Sequence, residues 1–233
     1  MTLRKDRVAA LILAAGLGTR MRSNTTKQRM LIGGVSVLKR CVCAFEACPD
    51  ICEIVVVARE TELDFVRNEL KGIKKLSNVV VGGKCRAESA ICGMRAVSEN
   101  SDFIAIHDAA RPLIKPENIS KVIKTAKEKG AATLASRVVD TVKIIDSDGR
   151  IISTPNRSTL VKATTPQIFK KEIYEHSVQN YNGELSAITD DNMLVEIAGY
   201  SVYSVISDDP NPKITVLEDL FVAEEILKGE KNV

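Results

Sequence analysis

Short apolar runs alternate along this chain with stretches whose apolar residues recur at helical spacing, and few folds accept that rhythm. The runs fall at 8–13, 53–57, 78–81, 103–107 and 131–135, and helical patterns at 36–48, 60–70, 87–97 and 116–129 separate them. Strands written as unbroken apolar runs are buried on both faces, so the pattern predicts an α/β fold: a mainly parallel sheet with helices on both faces. After residue 135 the rhythm breaks. Stretches 141–145 and 151–152 flank Asp146-Ser147-Asp148-Gly149, whose Asp-Gly pair is a hairpin signal, so a protruding β-hairpin arm is expected at about 138–160. Helices near 170–179, 190–197 and 217–227 and a strand at 201–205 complete the reading. With 233 residues and 45% hydrophobic content, one domain spanning 1–233 is the simplest organisation.

Composition removes several functional classes. The 33 basic and 30 acidic residues nearly cancel, Trp is absent and aromatics are 4%, so neither a nucleic-acid groove nor a polybasic membrane anchor is expected. Arg4, Lys5 and Arg7 before the apolar run at 8–15 imitate a signal peptide, but the run passes into Gly16, Gly18, Arg20 and Arg22. A buried strand entering a phosphate loop is written that way. No stretch has the length needed to cross a bilayer. The six cysteines lack the density of a disulfide framework. Cys41 and Cys48 share a helical face that Cys43 leaves, which favours core thiols over a zinc cluster. A cytoplasmic protein with reduced cysteines is the expectation.

In open α/β sheets, ligands sit beyond the carboxyl ends of the strands, and the informative residues cluster there. Ala14, Ala15, Gly16 and Gly18 follow the first strand and offer backbone N–H groups to phosphate oxygens, although a tight structural turn would read the same way. A dinucleotide fold fails, because its third glycine is here Met21 and Lys39-Arg40 stand where its acid belongs; a Walker loop fails for want of Gly-Lys-Ser/Thr. Arg20, Arg22 and Lys27 follow instead. A triphosphate attacked at its α-phosphorus builds charge that such cations stabilise, so Arg20 and Lys27 are candidates, with a solvated basic loop as the alternative. Asp108, after the fourth strand, is placed to meet a metal ion or a substrate hydroxyl, and Arg111 a phosphate; capping of a turn with an Asp108–Arg111 pair is the structural alternative. His107 reads as structural. A phosphate monoester is already an anionic nucleophile and needs no general base.

Together, Ala14-Ala15-Gly16-Leu17-Gly18-Thr19-Arg20-Met21, Lys27-Gln28, Gly82-Gly83 with Arg86, 107–112, Asp140-Thr141, Thr165-Pro166-Gln167, Thr189-Asp190-Asp191 and Lys213-Ile214-Thr215 resemble the 2-C-methyl-D-erythritol 4-phosphate cytidylyltransferase family over nearly the whole chain. The resemblance implies a Rossmann-like nucleotidyltransferase fold that moves CMP from CTP to a sugar-alcohol phosphate with Mg2+, acting as a homodimer through the arm. By resemblance, Arg20 and Lys27 stabilise the transition state, while Lys213 and Arg157 position the acceptor phosphate, Arg157 in the partner's site. Ala14, Ala15, Gly16, Gly18, Gly82, Gly83, Arg86 and Ser89 would hold the nucleotide, and Asp108, Arg111, Thr141 and Thr165 the acceptor, with Asp108 also the metal ligand. The chain departs from the family pattern at Thr26, where a proline is usual, and at Arg29, where a hydrophobic residue is usual; a mobile Lys27 loop is expected. A ribitol-phosphate cytidylyltransferase and a non-catalytic nucleotide-binding regulator are the alternatives.

Overall fold

The structure, a computed structural model, describes residues 6–16 and 26–231. Strands β1 (Val8–Leu13), β4 (Ile51–Ala58), β5 (Leu76–Val81), β6 (Phe103–Asp108), β7 (Ala131–Arg137), β10 (Val161–Lys170) and β11 (Tyr203–Ile206) form one seven-stranded sheet in the order β11-β7-β10-β6-β1-β4-β5. Two short hairpins stand apart from it: β2 (Leu31–Ile32) with β3 (Val35–Ser36), and β8 (Ile144–Ile145) with β9 (Ile151–Ser153). Strand β1 pairs in parallel with β4 on one side and β6 on the other. The chain moves outward through β4 and β5 and then returns to place β6, so strand order reverses at β1 and opens a crevice at its carboxyl end.

Successive side chains of a strand face opposite sides of a sheet, and the core follows that rule. Val8, Ala10 and Ile12 pack with α1 (Val37–Ala47), α2 (Leu63–Glu69) and α4 (Pro116–Lys129) on one face. Ala9 and Leu11 pack with α3 (Arg86–Arg95), α5 (Lys171–Asn180) and α6 (Asp191–Ile197) on the other. Each fully buried Leu or Ile contributes roughly 1.5–3 kcal/mol, so this two-sided burial holds β1 at the centre of the sheet. A smaller cluster around Ile32, Val37, Leu113, Ile214 and Ala223 seats α7 (Glu218–Lys231).

The helix boundaries have local causes. Ser36 caps α1 by accepting from the Lys39 N–H at 3.1 Å. Helix α4 begins on Pro116, carries Lys127 and Lys129 in its last turn and stops at Gly130, whose φ of 90° few other residues adopt. At the tip of the arm, Asp146 Oδ1 accepts from the Asp148 and Arg150 N–H groups, and Gly149 has a φ of 81°.

Strand β10 departs from the sequence reading, which placed no strand between the arm and the helix near 170. It lies between β6 and β7, antiparallel to both. Pro166 lacks an N–H for the ladder, and the register with β7 shifts between Ala163 and Gln167 to accommodate it. Thr164 Oγ1 there donates to the Leu134 carbonyl at 3.1 Å. The β2–β3 hairpin is likewise absent from the sequence reading, its strands being two residues each.

Candidate functional site

The carboxyl ends of β1 and β6 meet in register, Leu13 beside Asp108. A cavity of about 230 Å³ opens there, and Ala15, Gly16, Lys27, Gly83, Arg86, Ser89, Asp108 and Lys213 line it. Gln28, Lys84, Cys85 and Ala110 join them. The cavity draws on four separate stretches of chain, which only the sheet topology brings together.

The first stretch follows β1. Ala14 is buried, and its carbonyl accepts from Gln28 Nε2 at 2.6 Å, tying β1 to the 26–29 turn. The departures at Thr26 and Arg29 find a common partner there. Thr26 Oγ1 donates to Glu62 Oε2 at 3.2 Å, Arg29 Nε donates to the same oxygen at 2.9 Å, and the guanidinium lies 4.3 Å from the centre of the Phe65 ring. In place of a proline-stiffened loop, side chains on the neighbouring 3-10 turn and α2 tie down the turn that carries Lys27. Gly18 and Arg20 lie outside the described residues.

The second stretch follows β5. A Cβ at Gly82 would lie 2.7 Å from Ala15 Cβ and 2.8 Å from Ser89 Oγ, so only glycine lets the two loops approach so closely. Gly83 is as confined, with Glu88 Cβ 2.3 Å from the same added atom. The Gly83 N–H donates to Ser89 Oγ at 3.1 Å, and that hydroxyl donates to the Cys85 carbonyl at 2.9 Å, so Ser89 braces the loop from the first turn of α3.

The third and fourth stretches bring charge. Arg86 Nε donates to Asp108 Oδ1 at 3.1 Å, Lys213 Nζ donates to Asp108 Oδ2 at 2.7 Å, and Arg86 Nη1 donates to Asp191 Oδ2 at 2.6 Å. Burial alone would raise the Asp108 pKa, but Arg86 and Lys213 outweigh it and hold the carboxyl well below the usual range. Asp108 is ionised, and its ion pairs run to Arg86 and Lys213 rather than to Arg111.

His107 is fully buried, and burial lowers its pKa to about 4 despite the Arg111 carbonyl and Asp108. Its Nε2–H donates to the Arg111 carbonyl at 3.1 Å, so Nδ1 of the neutral ring accepts from Thr165 Oγ1 at 3.0 Å. The Thr165 oxygen accepts in turn from the Asp108 N–H at 3.1 Å. Thr165 is 4% exposed with its hydroxyl committed on both sides, so it holds the Asp108 backbone in place instead of lining the cavity.

Three other expected residues lie elsewhere. Arg111 lines a separate, open groove of about 720 Å³ with Val139, Lys162 and Asn211. Its Nη1 donates to the Asn211 carbonyl at 2.8 Å, while its Nε is buried with no hydrogen-bond partner. Thr141 and Arg157 are exposed on the arm, Arg157 donating to the Val139 carbonyl at 2.7 Å, and neither lines the cavity of its own chain. Among the cysteines, Cys41 and Cys48 are buried as expected for core thiols, but Cys43 and Cys52 are exposed; all six are free.

Sequence reasoning quoted Thr165-Pro166-Gln167 and Thr189-Asp190-Asp191 without giving Gln167, Asp190 or Asp191 a role. The structure joins them. Gln167 Nε2 donates to Asp190 Oδ2 at 2.8 Å, and Gln167 Oε1 accepts from the Asp191 N–H at 2.9 Å.

The family model for 2-C-methyl-D-erythritol 4-phosphate cytidylyltransferase matches residues 8–229. Curated proteins of that name from Pelotomaculum thermopropionicum and Lachnoclostridium phytofermentans are 37% and 40% identical, each over 97% of this chain and over 97% and 99% of their own lengths. The crystal structure of 4-diphosphocytidyl-2C-methyl-D-erythritolsynthase from Anaerococcus prevotii superposes with a TM-score of 0.86 at 30% identity, covering 96% of this chain and 97% of that one. The Francisella tularensis 2-C-methyl-D-erythritol 4-phosphate cytidylyltransferase structure gives a TM-score of 0.79 at 26% identity, over 95% and 100%.

Proposed function

The chain belongs to the 2-C-methyl-D-erythritol 4-phosphate cytidylyltransferase family, and from that membership we propose how its residues move CMP from CTP to the phosphate of 2-C-methyl-D-erythritol 4-phosphate, releasing pyrophosphate on the way to isoprenoids. The observation that carries the assignment is the convergence of Lys27, the Gly16 and Gly83 loops and the Arg86–Asp108–Lys213 pairs on one cavity at the strand-order reversal.

An oxygen of the acceptor phosphate attacks the α-phosphorus of CTP, and the bond from that phosphorus to the β-bridging oxygen breaks. The nucleophile is already anionic, so the step needs position and charge more than proton transfer. The described residues fit such a step: His107 is neutral and enclosed, and among them no unpaired carboxylate lines the cavity to serve as a base. Lys27, beside Gly16, neutralises charge on the phosphoryl oxygens, and Arg20 is given the same role. Lys213, held at 2.7 Å by Asp108, positions the acceptor phosphate. Backbone N–H groups at Ala15 and Gly16, on the cavity wall, take the triphosphate.

Mg2+ fits this donor set as an ion brought in by the nucleotide. Such ions are held by one or two carboxylates plus substrate phosphates, and among the described residues Asp108 is the one carboxylate lining the cavity. Both its oxygens accept from a cation yet keep lone pairs free. When bound, the ion neutralises triphosphate charge.

The arm supports a homodimer. Val139, Ile144, Ile145, Ile151 and Ile152 are each about half exposed or more, an apolar surface suited to a second copy. A partner's arm would deliver Thr141 and Arg157; Arg111, which lines the separate groove, is given its part in acceptor binding by the family resemblance alone. The six free thiols support a cytoplasmic, reducing setting, and among the described residues no helix is long and apolar enough to cross a membrane.

Two experiments test these roles. Lys27→Ala should lower kcat far more than it weakens CTP binding; a normal kcat removes Lys27 from the transition state. Mixing inactive Arg157→Ala and Lys27→Ala subunits should restore activity in heterodimers, and no recovery in verified heterodimers would leave the arm a purely structural element.

A further inference from the structure

Behind the cavity wall runs a buried chain of hydrogen bonds that begins at Tyr174, outside the cavity lining. The Tyr174 ring is fully enclosed and stacks on Phe169, their centroids 5.4 Å apart and 25° from parallel. Its hydroxyl donates to Asp191 Oδ1 at 2.7 Å, and Asp191 Oδ2 accepts from Arg86 Nη1 at 2.6 Å. Arg86 then reaches Asp108, and Asp108 reaches Lys213. Five side chains from β6, α3, α5, α6 and the 213 segment are thus connected through alternating donors and acceptors.

Asp191 is 0% exposed and does not line the cavity, so it touches no ligand there. An enclosed carboxylate is unfavourable unless its partners compensate for the lost water. Here the partners are one cation, one phenol and the Gln167 side chain that receives the Asp191 N–H. Asp190, which accepts from Gln167 Nε2, caps α6 through the Met193 N–H at 3.0 Å. Asp191 is therefore fixed from behind on three sides. Burial alone would weaken proton binding at Arg86, but Asp191 and, to a lesser degree, Asp108 reverse this and keep the guanidinium charged.

An arginine released from its second carboxylate turns two parallel N–H groups onto the first, because a guanidinium and a carboxylate match as a fork. At this site such a turn would engage both Asp108 oxygens, one of which now holds Lys213. We propose that Asp191 is a positioning residue: by holding the outer edge of Arg86 it limits that side chain to one Asp108 oxygen, leaves the other for Lys213, and so aims the lysine at the acceptor phosphate. Tyr174 and Gln167 hold Asp191 for that task. The inference rests on the cytidylyl-transfer reading and deepens it, giving Thr189-Asp190-Asp191 and Thr165-Pro166-Gln167 a shared purpose.

The test is pyrophosphate release from CTP, Mg2+ and the acceptor phosphate by full-length Asp191→Asn, Tyr174→Phe and Arg86→Gln variants and by the two doubles with Arg86→Gln. Wild-type turnover examines the reaction itself, and the ratios between variants examine the relay. Asp191→Asn should reduce kcat/KM for the acceptor about tenfold or more, the scale expected when a reacting group is misplaced by a fraction of an ångström to 1 Å. If Asp191 acts through Arg86, each double variant should be no slower than Arg86→Gln alone, because coupled residues are non-additive. Tyr174→Phe keeps the ring packing and should show a smaller loss, also absorbed in the Arg86→Gln background, so the answer stands even where Asp191→Asn folds poorly. Wild-type kinetics in both single variants, or losses that multiply in the doubles, would overturn the proposal.

Discussion

His107 makes the stability of this protein depend on pH in a window set by one ring. Its folded pKa is lowered from 6.5 to about 4 because burial penalises the imidazolium more than the Arg111 carbonyl and Asp108 favour it. The unfolded chain binds a proton near pH 6.5 and the folded chain does not, so between these values unfolding takes up a proton and stability falls as pH falls. Above about 6.5 the contribution is fully present; by about 4 the loss approaches 3 kcal/mol, since each pKa unit corresponds to about 1.4 kcal/mol. Between about pH 7 and about pH 5 the loss from this ring should be roughly 2 kcal/mol. Asp108 contributes little there, because its depressed pKa places its own loss below the ordinary carboxylate value of 3.8. Urea unfolding of wild type and His107→Gln at the two pH values isolates the ring: wild type should lose about 2 kcal/mol more than the variant. Equal losses would refute the enclosed neutral imidazole. The chain has only two histidines, so the imidazole resonance that remains after His176→Gln reports the His107 titration directly.

Gly82→Ala places a methyl group 2.7 Å from Ala15 Cβ and 2.8 Å from Ser89 Oγ, so thermal unfolding should show a loss of about 1–3 kcal/mol with weakened CTP binding, and unchanged values would mean the loops separate at no cost. Glu62→Gln removes the charge that Thr26 and Arg29 share; the exposed pair contributes little stability, about 1 kcal/mol or less, but kcat should fall as the turn carrying Lys27 loosens, and wild-type kinetics would show that the turn holds without it.

The β-α rhythm made most of the sheet legible, because strands buried on both faces must be written as apolar runs. Strand β10 escaped because Pro166 breaks the ladder and the polar Thr164, Thr165 and Gln167 stand where a central strand is usually apolar; those three serve there through side-chain bonds to the Leu134 carbonyl, the His107 ring and the Asp191 N–H. Lys27 and Asp108 were legible as charges beyond strand ends, and Arg86 and Lys213 entered through the family resemblance, but their pairing was not legible: Arg86 and Asp191 are 105 positions apart, and only the crossover of the chain makes them neighbours. Thr165 was placed on the ligand side by the family resemblance alone, whereas its hydroxyl is bonded between the His107 ring and the Asp108 N–H. Thr141 and Arg157 stand exposed on the arm, outside the cavity of their own chain.

The most direct measurement is pyrophosphate release by the purified protein with CTP and Mg2+, comparing 2-C-methyl-D-erythritol 4-phosphate with ribitol phosphate at equal concentration. A strong preference for the first is the predicted result. Preference for ribitol phosphate, or CTP binding without pyrophosphate release on either acceptor, would contradict the account.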